Sequence, residues 1–174
     1  MLYVTRMVTG IFFVVCEVLL ISGVTKVLVP STTKSALSAV GLPSSIALVR
    51  SLGVTEIVLG ILGILLGGTY FPIFIGALFA FFTIFILLSL RNSQVVSCGC
   101  FGATSSPPSS LHVFANLLFM VVALLAIGVE GLSDVLDKQP ANGIPFVLAI
   151  LLGALVTYLI LAFGSRVWGK KVSL

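Results

Sequence analysis

The chain alternates long apolar runs with short polar segments, and five of the runs reach the ~20 residues that cross a bilayer as a helix. Only 8% of the 174 residues are charged, against roughly 25% in an average soluble domain. A water-soluble core of this size could not hide so much apolar surface. The pattern therefore predicts an all-α, polytopic membrane helical bundle in one integral membrane domain, with spans at about 8–29, 45–67, 70–90, 111–129 and 144–163.

Lys and Arg stand at the ends of these runs, as membrane topology requires, so the pI near 9.2 does not indicate nucleic-acid binding. Five spans place the first connection, segment 91–110 and the C-terminal tail on one membrane face. Four cations then gather beside segment 91–110: Lys26, Lys34, Arg50 and Arg91. Cations near a thiol lower its pKa and favour the reactive thiolate. The alternative is that these side chains only extend to lipid headgroups.

Segment 91–110 is the longest polar break, and it contains Cys98 and Cys100 on either side of Gly99. Such a pair can close a small, strained disulfide ring, and strained disulfides are the easily reduced ones. One alternative is two unreactive thiols in a turn, and another is a metal site. Zinc needs about four ligands, whereas His112 is the only histidine and there is no second cysteine pair. A metal is therefore the least favoured reading, and none is predicted.

The second span has a narrow face, within about 80° on a helical wheel, that combines one carboxyl with small residues: Gly53, Glu56, Gly60, Gly63 and Gly67. Small residues let membrane helices approach closely, so Glu56 is predicted to face protein rather than lipid. A carboxyl inside a membrane is a functional candidate by default. It is predicted to handle protons or to form a buried ion pair with Lys26 or Arg50. The alternative is a structural hydrogen bond between helices.

Three further polar side chains lie in or near the spans. Cys16 lies roughly 20 Å from the face of segment 91–110 and is predicted to be structural. His112 and Asn116 are one turn apart in the fourth span. His112 is predicted to contact headgroups or to assist deprotonation of a thiol. Asn116 is predicted to hydrogen-bond to another helix.

Several of these residues together resemble the MauE family, which belongs with the wider DoxX-like membrane proteins. The resemblance covers roughly residues 8–130 and rests on three pieces: Ser22-Gly23-Val24-Thr25-Lys26 with Pro30, Glu56 in its glycine-rich helix, and Cys98-Gly99-Cys100-Phe101-Gly102. One departure stands at the fourth span, where the family often has Arg-Asn and this chain has Ala115-Asn116. The charge that the arginine would supply is lost here.

The resemblance implies a DoxX-like four-helix core plus a fifth transmembrane helix, in a bacterial or archaeal cell membrane. It also implies a component of a thiol–disulfide pathway that exchanges electrons or disulfides with a thioredoxin-like partner and supports maturation of extracytoplasmic proteins. Cys98 and Cys100 are then the reacting residues. The predicted supporting residues are Lys26, Arg50, Glu56, Arg91, His112 and Asn116.

Two other functions stay open at this level. One is a quinone-linked, disulfide-generating oxidase, which would need a bound quinone. The other is a non-catalytic assembly or scaffold subunit in which segment 91–110 is a docking turn. Orientation is also open: seven of the nine Lys and Arg share the face of segment 91–110, which the positive-inside rule places in the cytoplasm. Disulfides persist on the opposite, extracytoplasmic side.

Overall fold

The computed structural model describes the backbone of residues 2–91 and 109–168 and the side chains of residues 7–91, 109–139, 141 and 143–163. These residues form α1 Leu2–Leu28, α2 Pro30–Ala39, α3 Ile46–Leu66, α4 Tyr70–Arg91, α5 Ser110–Leu125, α6 Leu132–Leu136 and α7 Ile144–Trp168, with a 3₁₀ helix at Pro140–Gly143. The predicted all-α membrane bundle is confirmed. Cys98 and Cys100 lie outside the described residues.

Four helical segments are long and apolar enough to cross a membrane: Met7–Leu28, Ile46–Leu66, Tyr70–Arg91 and Ile144–Phe163. The fourth predicted span, 111–129, differs from the helix that the structure has there. Helix α5 is 16 residues long and ends at Leu125, because the chain turns through Gly128 at φ 87° and Val129 pairs with Gly68. At ~24 Å, α5 is shorter than the ~30 Å hydrocarbon core. That it spans the membrane stays a prediction.

Helix α1 is the central element, because it packs against α2, α3, α5 and α7. Its contact with α3 is the tightest, since glycines from both helices meet there. A Cβ built on Gly53 would lie 2.7 Å from the carbonyl oxygen of Gly23, and one on Gly60 would lie 2.9 Å from that of Cys16. Gly53 and Gly60 of the predicted glycine face therefore pack on α1, whereas Gly67 follows α3 and lies against Val129 and Glu130.

The short connection after α1 is a ten-residue helix, α2. Pro30 opens α2 at a position where its missing N–H costs nothing. Leu37 then packs in a small core with Val49 of α3 and Phe85 of α4, and Val113 of α5 borders the same core.

We call this end of the bundle the α2 end. It contains the last turns of α1 and α4 and the first turns of α3 and α5. The chain leaves the described residues at Arg91 and returns at Ser109, and both positions are at the α2 end. The fold thus places Lys26 and both borders of segment 91–110 at the same end of the bundle, in agreement with the prediction that they share a face.

The five-span topology predicts alternating sides for reporter domains fused at Lys34, Gly68, Ser105 and Asp137. Lys34 and Ser105 should report one side of the membrane, and Gly68 and Asp137 the other. Asp137 on the same side as Ser105 would show that α5 does not cross, and opposite sides for Lys34 and Ser105 would show that the span count is wrong.

The α1–α3 contact predicts a large difference between two glycine-to-alanine substitutions inside helices. Gly53→Ala places a methyl group against a backbone oxygen and should lower the free energy of unfolding by about 1–3 kcal/mol. The matched control is Gly76→Ala in α4, where the new Cβ would lie an ordinary 3.4 Å from a Leu124 methyl group. Unfolding in bicelles should give Gly53→Ala a clearly lower free energy of unfolding than the control. Equal stabilities of the two variants would contradict the close α1–α3 contact.

Candidate functional site

A buried ion pair joins α1 to α3 near the α2 end. The Lys26 Nζ lies 2.8 Å from Oε1 of Glu56 and donates a hydrogen bond to its Oε2 at 3.0 Å. The side chains are only 3% and 0% exposed. The sequence left Lys26 and Arg50 as alternative partners. The partner is Lys26, because the Arg50 side chain is exposed.

Two more side chains complete the surroundings of the Lys26 ammonium. It donates a hydrogen bond to the Ser22 hydroxyl oxygen at 2.6 Å, and Ser22 also hydrogen-bonds to Glu56. The Phe82 ring of α4 lies with its centroid 5.0 Å from Nζ, within the range of a cation–π interaction. The charge is therefore met by a carboxylate, a hydroxyl and an aromatic face.

The local sequence explains this arrangement. Ser22 and Lys26 are four residues apart, so they lie on one face of α1. Glu56 lies between Gly53 and Gly60, where the two backbones approach most closely. A lone charge at this depth would be costly, whereas a paired and hydrogen-bonded one is tolerated.

His112 occupies the first turn of α5 and is 1% exposed. Its Nδ1 forms a hydrogen bond with the Ser109 hydroxyl at 2.8 Å. The other ring nitrogen, Nε2, is buried without a hydrogen-bond partner of normal geometry, although the ring interacts with the Leu161 backbone of α7. The predicted headgroup contact is wrong, because the neighbouring helices cover this end of α5.

Asn116 lies one turn further along α5 and is 9% exposed. Its amide nitrogen donates to the His112 carbonyl oxygen at 2.7 Å. The amide nitrogen of Asn116 thus bonds within its own helix, as asparagine readily does. The prediction had this side chain hydrogen-bonding to another helix instead. Ala115, which stands where the family often has arginine, belongs to the buried core.

A small cavity separates the ion pair from the imidazole. Its volume is about 20 Å³, and its polar walls are Ser22, Lys26, His112 and Asn116. We call these four residues together with Glu56 the polar cluster. Side chains from α1, α3, α4, α5 and α7 therefore converge at one buried point near the α2 end.

The remaining predicted site residues lie elsewhere. Arg50 and Arg91 are exposed, so they are available at the α2 end but do not join the polar cluster. Lys26 is not a free cation for the thiols, which corrects its predicted role beside segment 91–110. Cys16 is buried in the core, where its sulfur would lie 3.0 Å from a Cβ on Gly63. In residues 2–91 and 109–168 no group of three or more His, Cys, Asp and Glu could hold a metal ion.

Three further residues shape the site and are not among the predicted site residues: Ser22, Ser109 and Phe82. Ser22 has a recognisable signal, because it precedes Lys26 by one helical turn. Ser109 precedes His112 by three residues at the start of α5, where a hydroxyl often finds a local partner. Phe82 has no such signal in a span that contains many phenylalanines.

The buried ion pair predicts a strong energetic coupling. Lys26→Met and Glu56→Gln should each cost about 3–5 kcal/mol of unfolding free energy, because each leaves a buried group without its partner. The double variant should cost clearly less than the sum. The matched control is the pair Lys138–Glu130, whose side chains are 50% and 53% exposed.

The same substitutions in the control pair should couple by less than about 1 kcal/mol. Unfolding in bicelles of all single and double variants measures both couplings. A coupling for Lys26–Glu56 no larger than that for Lys138–Glu130 would contradict the buried pair.

Comparison with known proteins finds a match to one protein family. No curated protein and no solved structure matches the chain. The model of one family, described as "Methylamine utilisation protein MauE", matches residues 4–129. This range runs from α1 through α5 and includes every residue of the polar cluster. The helical membrane bundle and this match together show that the chain is an integral membrane protein that belongs to the MauE family.

Proposed function

We propose that the protein is a membrane component of a thiol–disulfide pathway, in which Cys98 and Cys100 exchange electrons with a thioredoxin-like protein. One observation carries the proposal. The segment that contains both cysteines joins Arg91 to Ser109, and these residues lie at the end of the bundle where the polar cluster is buried. Cys100 precedes Ser109 by nine residues, a span of at most ~30 Å.

The exchange needs no other co-reactant. A thiolate of the pair attacks the partner disulfide, and a mixed disulfide forms as one partner sulfur leaves. The second cysteine then attacks the mixed disulfide, which closes the Cys98–Cys100 ring and releases the partner as a dithiol. Two electrons move from the pair to the partner, and the reverse reaction returns them.

Proton transfer accompanies each attack, since the thiol must lose its proton and the leaving thiolate must gain one. The His112–Ser109 hydrogen bond supports a role for His112 as the group that holds this proton. Ser109 is the first described residue after Cys100, and its hydroxyl already bonds to the imidazole. The exposed Lys34, Arg50 and Arg91 supply positive charge that favours thiolate at the same end.

The quinone-linked alternative gains no support from the polar cluster. Its cavity of about 20 Å³ is far below the ~300–1,000 Å³ of ordinary ligand pockets. A wider apolar groove of about 310 Å³ lies between α1 and α7, with Met7 and Phe146 among its walls. That groove is in the half of the bundle remote from Ser109.

The proposal predicts that Cys98 and Cys100 cycle between dithiol and disulfide. Alkylation of the wild-type protein in membranes should label two more thiols after treatment with a reductant than before it. In Cys98→Ser or Cys100→Ser, the remaining cysteine should attack the disulfide of an oxidised thioredoxin-like protein and form a mixed disulfide, which the missing second cysteine cannot resolve. Cys16→Ser is the matched control and should behave as wild type.

Two results would overturn this function. Full exchange activity in both Cys98→Ser and Cys100→Ser, or its loss in Cys16→Ser alone, would exclude the Cys-Gly-Cys pair. If Cys98 and Cys100 never cycle between dithiol and disulfide, although the cell still needs the protein, the result would instead favour the scaffold function.

A further inference from the structure

The inference begins at the Nε2 atom of His112. This atom is buried and has no hydrogen-bond partner of normal geometry, although the ring interacts with the Leu161 backbone. The side chain is only 1% exposed. A buried polar atom without a partner destabilises the folded protein. Most buried polar atoms in native proteins have a hydrogen-bond partner, and an ordered water is a common partner.

The cavity beside His112 has the size and the lining that a water needs. Its volume of about 20 Å³ exceeds the ~10–15 Å³ that one water requires, and a buried water also needs 2–4 polar partners. Ser22, Lys26 and Asn116 line the cavity together with His112. Dry cavities, in contrast, are lined by apolar groups alone.

We propose that one ordered water occupies this cavity and links Nε2 of His112 to the Ser22–Lys26 side of the ion pair. A water can donate to Nε2 or accept from it, so the link forms with either neutral tautomer of the imidazole. Ser22 and Lys26 in turn hydrogen-bond to Glu56. The water therefore completes a continuous hydrogen-bonded chain from Glu56 on α3, through α1, to His112 on α5 and to Ser109, the residue before α5.

This chain gives the membrane-embedded carboxylate a route for protons to the end of the bundle where segment 91–110 begins and ends. Within the described side chains, its ionisable members are Glu56, Lys26 and His112. The inference rests on the geometry of these residues and holds whether or not Cys98 and Cys100 react with a thioredoxin-like protein.

The test uses the fact that His112 is the only histidine in the chain. Protein made without a histidine tag, labelled with ¹⁵N-histidine and placed in lipid nanodiscs, gives ring-nitrogen signals from this residue alone. We expect magnetisation transfer from water protons to the imidazole of folded wild-type protein. No transfer, with Nε2 bonded directly to the Leu161 carbonyl, would overturn the proposal.

A pair of serine variants provides the second measurement. Ser22→Ala removes one polar wall of the cavity and should shift the His112 ring signals and weaken the water contact. The matched control is Ser89→Ala, because Ser89 is 1% exposed and its hydroxyl donates to the Phe85 carbonyl of its own helix. The control should leave both measurements unchanged. Identical His112 spectra in Ser22→Ala and wild type would contradict a water held by Ser22.

Discussion

The charge pair Lys26–Glu56 is the interaction on which the rest of this membrane bundle depends. Neither charge could lie so far from water alone, since an unpaired charge in the hydrocarbon region is expensive. The pair ties the register of α1 to that of α3, because Nζ contacts the carboxylate in the register in which Gly23 and Gly53 face one another. Helix packing and electrostatics are therefore one constraint here.

The glycines allow that constraint to be met. Membrane helices lack a hydrophobic driving force toward each other and associate through close packing and interhelical hydrogen bonds. Gly53 and Gly60 bring α3 against the α1 backbone, and Ser22 and Phe82 then complete the contacts of the ammonium. The outward surfaces of the helices expose leucine, isoleucine and phenylalanine, as a lipid-facing surface requires.

Much of this arrangement could be predicted from the sequence. The length of each apolar run indicates a membrane-spanning helix, and the helical wheel indicates which face of the helix packs on protein. The wheel placed Glu56 toward protein, but it could not choose between Lys26 and Arg50, since a wheel gives no register between helices. The sequence predicts that His112 contacts headgroups, whereas its side chain is 1% exposed and its ring interacts with the Leu161 backbone of α7. The early end of α5 depends on the pairing of Gly68 with Val129, which is a contact between distant parts of the chain.

In the proposed function, the buried polar cluster and the cysteine pair are linked through one end of the bundle. His112 is the link, since its imidazole contacts Ser109 on one side and the cavity on the other. Exchange and proton transfer should therefore be coupled through this residue, even though it lies in the apolar part of the chain.

The most direct measurement is the rate at which the reduced Cys98–Cys100 pair reacts with an oxidised thioredoxin-like protein. It compares wild type with His112→Gln and uses Glu130→Gln at the opposite end as the control, with folding of each variant confirmed by its unfolding curve. The account predicts a rate at least ~10-fold lower in His112→Gln and an unchanged rate in Glu130→Gln. A folded His112→Gln protein that reacts at the wild-type rate would contradict it.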